Sequence, residues 1–118
     1  MFEDDYLIVV DKPAGILCVP SEPGTSSIAK TVHGLIDKKG GLDCSVDQMV
    51  VHRLGFDTSG LMVFAKTLDA VRGMNTLFRT RKITRQYEVL VIGHVEQDHG
   101  LINLPLMRCY EYPPYMRI

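Results

Sequence analysis

The spacing of apolar and polar positions changes period several times along the chain, and each change predicts an element. Residues 6–10 (YLIVV) form an unbroken apolar run rich in β-branched side chains, the pattern of a buried strand. Asp11-Lys12-Pro13-Ala14-Gly15 interrupts it, because proline and glycine two positions apart favour a turn. Residues 16–19 resume the apolar pattern, so a short strand is expected there, hairpin-like with the first. Residues 21–27 are polar, and Ser26 or Ser27 can cap a helix through its Oγ. Ile28, Val32, Leu35 and Ile36 then share one face at helical spacing, and Gly40-Gly41 ends the pattern. Residues 42–48 look irregular, and residues 49–51 predict a strand leading into His52.

The second half follows the same logic. Residues 52–60 hold two glycines and little periodicity, hence a loop, and residues 61–65 (LMVFA) predict another buried strand. Thr67 can cap a second helix with Leu68, Val71, Leu77 and Phe78 on its apolar side. Residues 86–95 (QYEVLVIGHV) predict a central strand, and residues 101–106 a further one. The last stretch, 107–118, holds Pro113-Pro114 and three tyrosines and shows no terminating element. The order β-β-α-β-loop-β-α-β-β predicts an α+β fold, a mixed, largely antiparallel sheet with two helices.

Length and composition narrow the class. With 118 residues the chain is expected to form one domain, 1–118. Apolar residues at 46% and charged residues at 23% place it among globular chains. No apolar stretch approaches the ~20 residues of a membrane span, and the acidic start (Glu3, Asp4, Asp5) lacks the order of a signal peptide. Cys18, Cys44 and Cys109 are too scattered for a disulfide framework and suit a reducing cytoplasm. The net charge of −1 hides an asymmetry: residues 1–50 carry four basic and eight acidic side chains, and residues 51–118 carry nine and six. Arg79, Arg81, Lys82 and Arg85 fall within seven residues. They are either a solvated face that complements a helix C-terminus or a local phosphate-binding patch.

The candidate chemistry is sparse outside one segment. Gly55 and Gly60 are five apart with no lysine after them, which argues against a nucleotide-phosphate loop. His33, His52, His94 and His99 show no metal-ligand spacing with the cysteines, so no metal is expected. His94 and His99 flank Glu96 and Asp98 in what reads as a solvated turn. No cysteine is paired with a histidine base, and Cys18 reads as a core residue. The dense loop is His52-Arg53-Leu54-Gly55-Phe56-Asp57-Thr58-Ser59-Gly60. It offers a histidine, an arginine, a carboxylate and two hydroxyls between two apolar strands, and strand-held loops are where sites are built. A structured turn satisfied by Asp57 and the hydroxyls remains the alternative.

At this loop the chain resembles the RluA-type family of RNA pseudouridine synthases, whose signature reads His-Arg-Leu-Asp-x-x-Thr-Ser-Gly. Eight of the nine positions fit. The segment Asp11-Lys12-Pro13-Ala14-Gly15, the run Leu61 to Lys66, and Arg85-Gln86-Tyr87 with Val89, Val91 and Gly93 resemble further family segments in the same order. The match covers nearly all of residues 2–106.

The resemblance implies isomerisation of selected uridines in ribosomal or transfer RNA, without metal or organic cofactor. The N1–C1′ bond is broken, the base turns, and it is rejoined through C5. The family aspartate acts at the ribose, where a carboxylate suits a developing oxocarbenium charge. The base must be flipped into a pocket. Tyr87 matches a family tyrosine that packs against the flipped base, and Arg53 an arginine near the space the base vacates. His52, Thr58, Arg79, Arg81, Lys82 and Arg85 are the accompanying candidate RNA contacts.

Two departures shape the expectation. Gly55 occupies the position of the family aspartate and supplies neither nucleophile nor base. Asp57 is two residues on, with consecutive Cα atoms ~3.8 Å apart, and a misplacement of ~1 Å can cost ~100-fold. It is therefore expected to substitute poorly. The family also carries a later Gly-Arg-Thr-His-Gln-Ile-Arg segment, which is not found before Ile118. The chain is thus expected to be a partial, truncated pseudouridine synthase catalytic domain, impaired by Gly55. A non-catalytic RNA-binding remnant is the second hypothesis. A folded fragment that dimerises through open sheet edges is the third.

Overall fold

A computed structural model describes residues 2–20, 25–40, 43–108 and 116–117. Expectations for 21–24, 41–42, 109–115 and 118, Cys109 among them, lie outside these residues. The elements are β1 (Phe2–Glu3), β2 (Leu7–Lys12), α1 (Ile28–Lys39), α2 (Val46–Met49), β3 (Gly60–Ala65), α3 (Leu68–Arg79), β4 (Met107–Arg108) and β5 (Met116–Arg117). They fall into two compact units, residues 1–85 and 86–118.

The first unit is a small α+β assembly. Its sheet has the order β1-β2-β3 and is antiparallel throughout, not mixed. β2 lies between its neighbours, with Phe2 opposite Val9 and Leu7 opposite Ala65. The β1–β2 turn is fixed by Asp4, whose Oδ1 accepts the amides of Leu7 at 2.7 Å and Tyr6 at 2.8 Å. Those two amides hold the Asp4 carboxyl below its ordinary pKa. The Lys66 ammonium closes the same turn, donating to Glu3 Oε1 at 2.9 Å and to the Asp4 carbonyl at 2.8 Å.

The described residues of this unit form three helices beside the sheet, one more than expected. Ser27 caps α1 by accepting from the Lys30 amide, and Gly40 ends it in the left-handed region at φ 76°. The buried face is Ala29, Val32 and Ile36, while Leu35 is exposed. Helical spacing admits either neighbour of that stripe, and the sheet chose the alanine side. Thr67 caps α3, as the sequence indicated. The additional helix, α2, is a single turn made by a capping box. Ser45 Oγ accepts from the Gln48 amide, and Gln48 Oε1 accepts from the Ser45 amide. It displaces the strand expected over 49–51, of which only an isolated bridge from Val50 to Phe64 is left. The core joins Ala29, Val32 and Ile36 to Met49, Met62, Phe64, Cys18 and Cys44.

The strand expected over 16–19 does not form. The reason lies in what its carbonyls do. The Leu17 and Cys18 oxygens accept the Ile28 and Ala29 amides at 2.9 and 3.1 Å. These are among the amides that a helix N-terminus leaves without intrahelical partners. The segment thus caps α1 instead of pairing with β2.

In the second unit, the strands expected over 86–95 and 101–106 are also absent. A strand is a paired object, and an apolar run has no ladder without a neighbour. Among the described residues of that unit, the only ladder is β4 with β5, pairing Met107 with Arg117 and Arg108 with Met116.

Candidate active site

The register of β2 against β3 builds the site. Lys12, the last residue of β2, lies opposite Gly60, the first of β3. The segment leaving β2 and the 52–60 loop entering β3 therefore run side by side. Two residues of the first segment hold the second.

Lys12 is wholly buried. Its ammonium donates to three carbonyl oxygens, of Pro13 and Ile16 at 2.9 Å and of Phe56 at 3.3 Å. An ammonium carries three donors and no acceptor, so three carbonyls satisfy it. The Phe56 carbonyl also accepts the Gly15 amide at 2.8 Å. Gly15 has φ 84°, which favours glycine at that turn. Sequence analysis passed over Lys12 as a functional position. Its signal was a lone lysine closing an apolar strand before Pro-Ala-Gly, at a point where a charge has no obvious exit to solvent.

Cys18 supplies the second hold. Its thiol donates to the Leu54 carbonyl at 2.8 Å and its sulfur accepts the Leu54 amide at 3.2 Å. A side chain thus copies the two hydrogen bonds of a β-pair, immediately before Gly55. Cys18 is a core residue, as expected, but with this added task.

Between these holds the loop turns outward. The Thr58 amide donates to the Gly55 carbonyl at 3.1 Å, closing a tight turn over Phe56 and Asp57. Arg53, Gly55, Phe56, Asp57 and Ser59 are exposed, and Thr58 is half-buried. Gly55 does not lie in the left-handed region. A Cβ placed there would sit 3.2 Å from Thr58 Oγ1 and 4.0 Å from Thr58 Cβ. The backbone there does not demand glycine, but a side chain would press on the Thr58 hydroxyl, which must give by a few tenths of an ångström to admit it.

His52 is turned inward at the root of the loop. Its Nε2 lies 2.9 Å from the Val63 amide and accepts from it, which places the ring proton of the neutral form on Nδ1. The ring stacks on Phe78 of α3 at 5.1 Å, and the Arg85 guanidinium covers Phe78 at 5.7 Å. Burial, and then the charge of Arg85, push the His52 pKa below the usual histidine value.

The remaining candidates divide between the two units. Arg79 ends α3, and Arg81, Lys82 and Arg85 follow it, all exposed. Tyr87 belongs to the second unit and is exposed. Within the first unit, then, the structure brings His52, Arg53, Gly55, Asp57 and Thr58 together on one loop. It ties that loop to the root of the basic segment through Phe78. Among the described residues, no group of three or more His, Cys, Asp or Glu is placed to hold a metal. Among the same residues, no helix is long and apolar enough to cross a membrane.

Comparison with known proteins identifies the family. Residues 6–116 match the family described as RNA pseudouridylate synthase. The chain is 35% identical over 120 aligned positions to the dual-specificity RNA pseudouridine synthase RluA of Pasteurella multocida, covering 98% of this chain and 49% of that protein. It is 37% identical over 109 positions to the ribosomal large subunit pseudouridine synthase D of Nitrosomonas europaea, covering 92% of this chain and 30% of that protein. An uncharacterized RNA pseudouridine synthase of Aquifex aeolicus is 37% identical over 114 positions, covering 92% and 34%. The chain spans about half the length of the first of these relatives and about a third of the other two.

Proposed function

The chain belongs to the RNA pseudouridylate synthase family, and from that premise we propose that it binds RNA at the 52–60 loop without isomerising uridine. The supporting observation is the state of position 55. The loop is held on both sides, by Lys12 through Phe56 and by Cys18 through Leu54. The position it holds carries no side chain.

Breaking the N1–C1′ bond of uridine leaves positive charge on the ribose. A carboxylate set against C1′ stabilises that charge or captures it covalently. Gly55 supplies none. Asp57 lies across the tight turn, exposed at its tip, and a reacting group displaced by ångströms forfeits most of the rate. Arg53, exposed two residues before position 55, is assigned to RNA at the base-flipping step. Arg79, Lys82 and Arg85 are assigned to backbone phosphates. His52 acts from inside, orienting the loop through Val63. Ribosomal or transfer RNA is the class of RNA bound, and one relative's name includes the ribosomal large subunit.

The test uses the 118-residue chain and unmodified ribosomal and transfer RNA. Wild type is expected to show RNA affinity that falls with salt and no pseudouridine by mass spectrometry. Product from the wild type would overturn the assignment and make Asp57 the acting carboxylate. Absence of any salt-dependent affinity would remove RNA binding itself.

A further inference from the structure

We propose that Arg81 is a dedicated RNA-phosphate contact, presented by the turn that closes α3; this rests on the RNA-binding reading above.

The turn has a complete form. Thr80 is the C-cap of α3. The Arg81 amide donates to the Phe78 carbonyl at 3.2 Å, and the Lys82 amide donates to the Leu77 carbonyl at 3.0 Å. These two bonds are the pair that ends a helix when the residue after the cap turns left-handed. Arg81 is that residue, with φ 56°, and it is the one non-glycine residue of positive φ among the described residues. Glycine is the usual occupant, because a Cβ disfavours this conformation.

Nothing in the fold requires an arginine there. Both hydrogen bonds of the turn come from main-chain amides, which glycine also has. The helix dipole is already complemented by Arg79 in the last turn. Arg81 is exposed, so its side chain does not serve the core. Nor does it serve an ion pair. The sequence has no carboxylate between Asp69 and Glu88. Among the described residues none of Arg79, Arg81, Lys82 and Arg85 is ion-paired. A disfavoured backbone at a residue whose guanidinium has no ion-pair partner among the described residues points to an external one. Its neighbours set the chemistry: four cations in seven residues favour a polyanion, and a guanidinium grips phosphate oxygens in pairs.

The patch is also joined to the site. Arg85 lies over Phe78, which stacks on His52 at the root of the 52–60 loop. A strand of RNA gripped at 79–85 is thereby anchored to the same helix end that supports the loop.

The experiment compares wild type, Arg81→Gly and Arg81→Lys in the full chain. Each is measured for thermal unfolding and for binding to a labelled RNA stem-loop across a salt series. Arg81→Gly is expected to unfold at a higher temperature, since it relieves the turn. It should nevertheless bind RNA about three- to tenfold more weakly. The slope of log affinity against log salt should shrink by about 0.7–0.9, one phosphate contact. Arg81→Lys should retain the wild-type slope. Unchanged affinity and slope in Arg81→Gly would overturn the proposal. A combined Arg79→Ala/Lys82→Ala/Arg85→Ala variant separates the two readings. If it loses RNA while Arg81→Gly does not, RNA binding stands and the role of Arg81 falls. If wild type itself shows no affinity, both fall. Inorganic phosphate that binds wild type but not Arg81→Gly, with RNA affinity and salt slope equal in the two, would assign the site to free phosphate and also overturn the proposal.

Discussion

The ammonium of Lys12 and the carbonyl oxygen of Phe56, 44 residues apart in sequence, are joined by a hydrogen bond of 3.3 Å inside the protein. The relationship explains how a short sheet holds a nine-residue loop. The end of β2 sends a charged side chain under the loop, and carbonyl oxygens of Pro13, Ile16 and the loop's own Phe56 accept its three donors. Burying a charge without such partners would be costly, so the contact is as selective as it is stabilising.

Replacing Lys12 tests that clasp. Lys12→Met keeps the length and apolar stem and removes the donors. It leaves the Pro13 and Ile16 carbonyls without this partner, while Phe56 keeps the Gly15 amide. The expected loss is about 2–4 kcal/mol by urea unfolding. Faster amide exchange at Gly15 is expected to accompany it. A loss below about 0.5 kcal/mol would mean that the clasp contributes little.

Cys18 offers a graded series. Cys18→Ala removes both partners of Leu54 and is expected to lower stability by about 1–3 kcal/mol. Cys18→Ser retains a donor and an acceptor and should lose less. Equal losses would show that volume, not hydrogen bonding, decides the position. The thiol, only 6% exposed, should also react slowly with alkylating reagents until the chain unfolds.

Gly55 and Gly15 should respond oppositely to a side chain. At Gly55 the backbone is ordinary and the nearest obstacle is Thr58 Oγ1, 3.2 Å from a new Cβ. Gly55→Asp is therefore expected to change stability by no more than about 1 kcal/mol. Gly15, at φ 84°, is expected to lose about 1–2 kcal/mol on replacement by alanine. Thermal unfolding of the two variants checks both. A Gly55→Asp chain that unfolds as easily as Gly15→Ala would show that the loop cannot house the carboxylate.

The pH dependence follows from His52. Its folded pKa is lowered, because burial and Arg85 disfavour the charged ring. The unfolded chain then binds more protons than the folded one below about pH 6.5. Stability is fully present above that pH and declines as pH falls towards the folded pKa, below which the decline stops. Protonation also costs the Nε2 acceptor of the Val63 amide. Melting temperature is expected to drop between pH 7 and 5, with a smaller drop in His52→Asn. An identical drop in both would place the effect on other groups.

Much of this was legible beforehand because it is local. Ser27 and Thr67 announce α1 and α3 by a cap followed by helical spacing. The runs 6–10 and 61–65 announce β2 and β3 by apolar continuity, β-branched in the first. The 52–60 loop stands out by its density of polar side chains. What was missed depends on partners. Residues 16–19 have the composition of a strand, yet their carbonyls are taken by the first amides of α1. Residues 86–95 have it too, and no neighbour pairs with them among the described residues of their unit. Residues 46–49 form a helix through two side chains of a capping box, a signal shorter than any periodicity.

The sequence by itself determined the helix ends, the two principal strands, the position of the polar loop and the absence of a carboxylate at Gly55. These are properties of single residues and their near neighbours. Only the tertiary structure decided that Lys12 is buried beneath Phe56, that Cys18 pairs with Leu54, that His52 faces inward to Val63, and that Arg81 turns left-handed at the end of α3. Each depends on which segments the β2–β3 register brings together or on how a helix end closes. Hydrogen bonds between residues 36 and 44 positions apart leave no periodic trace in the chain.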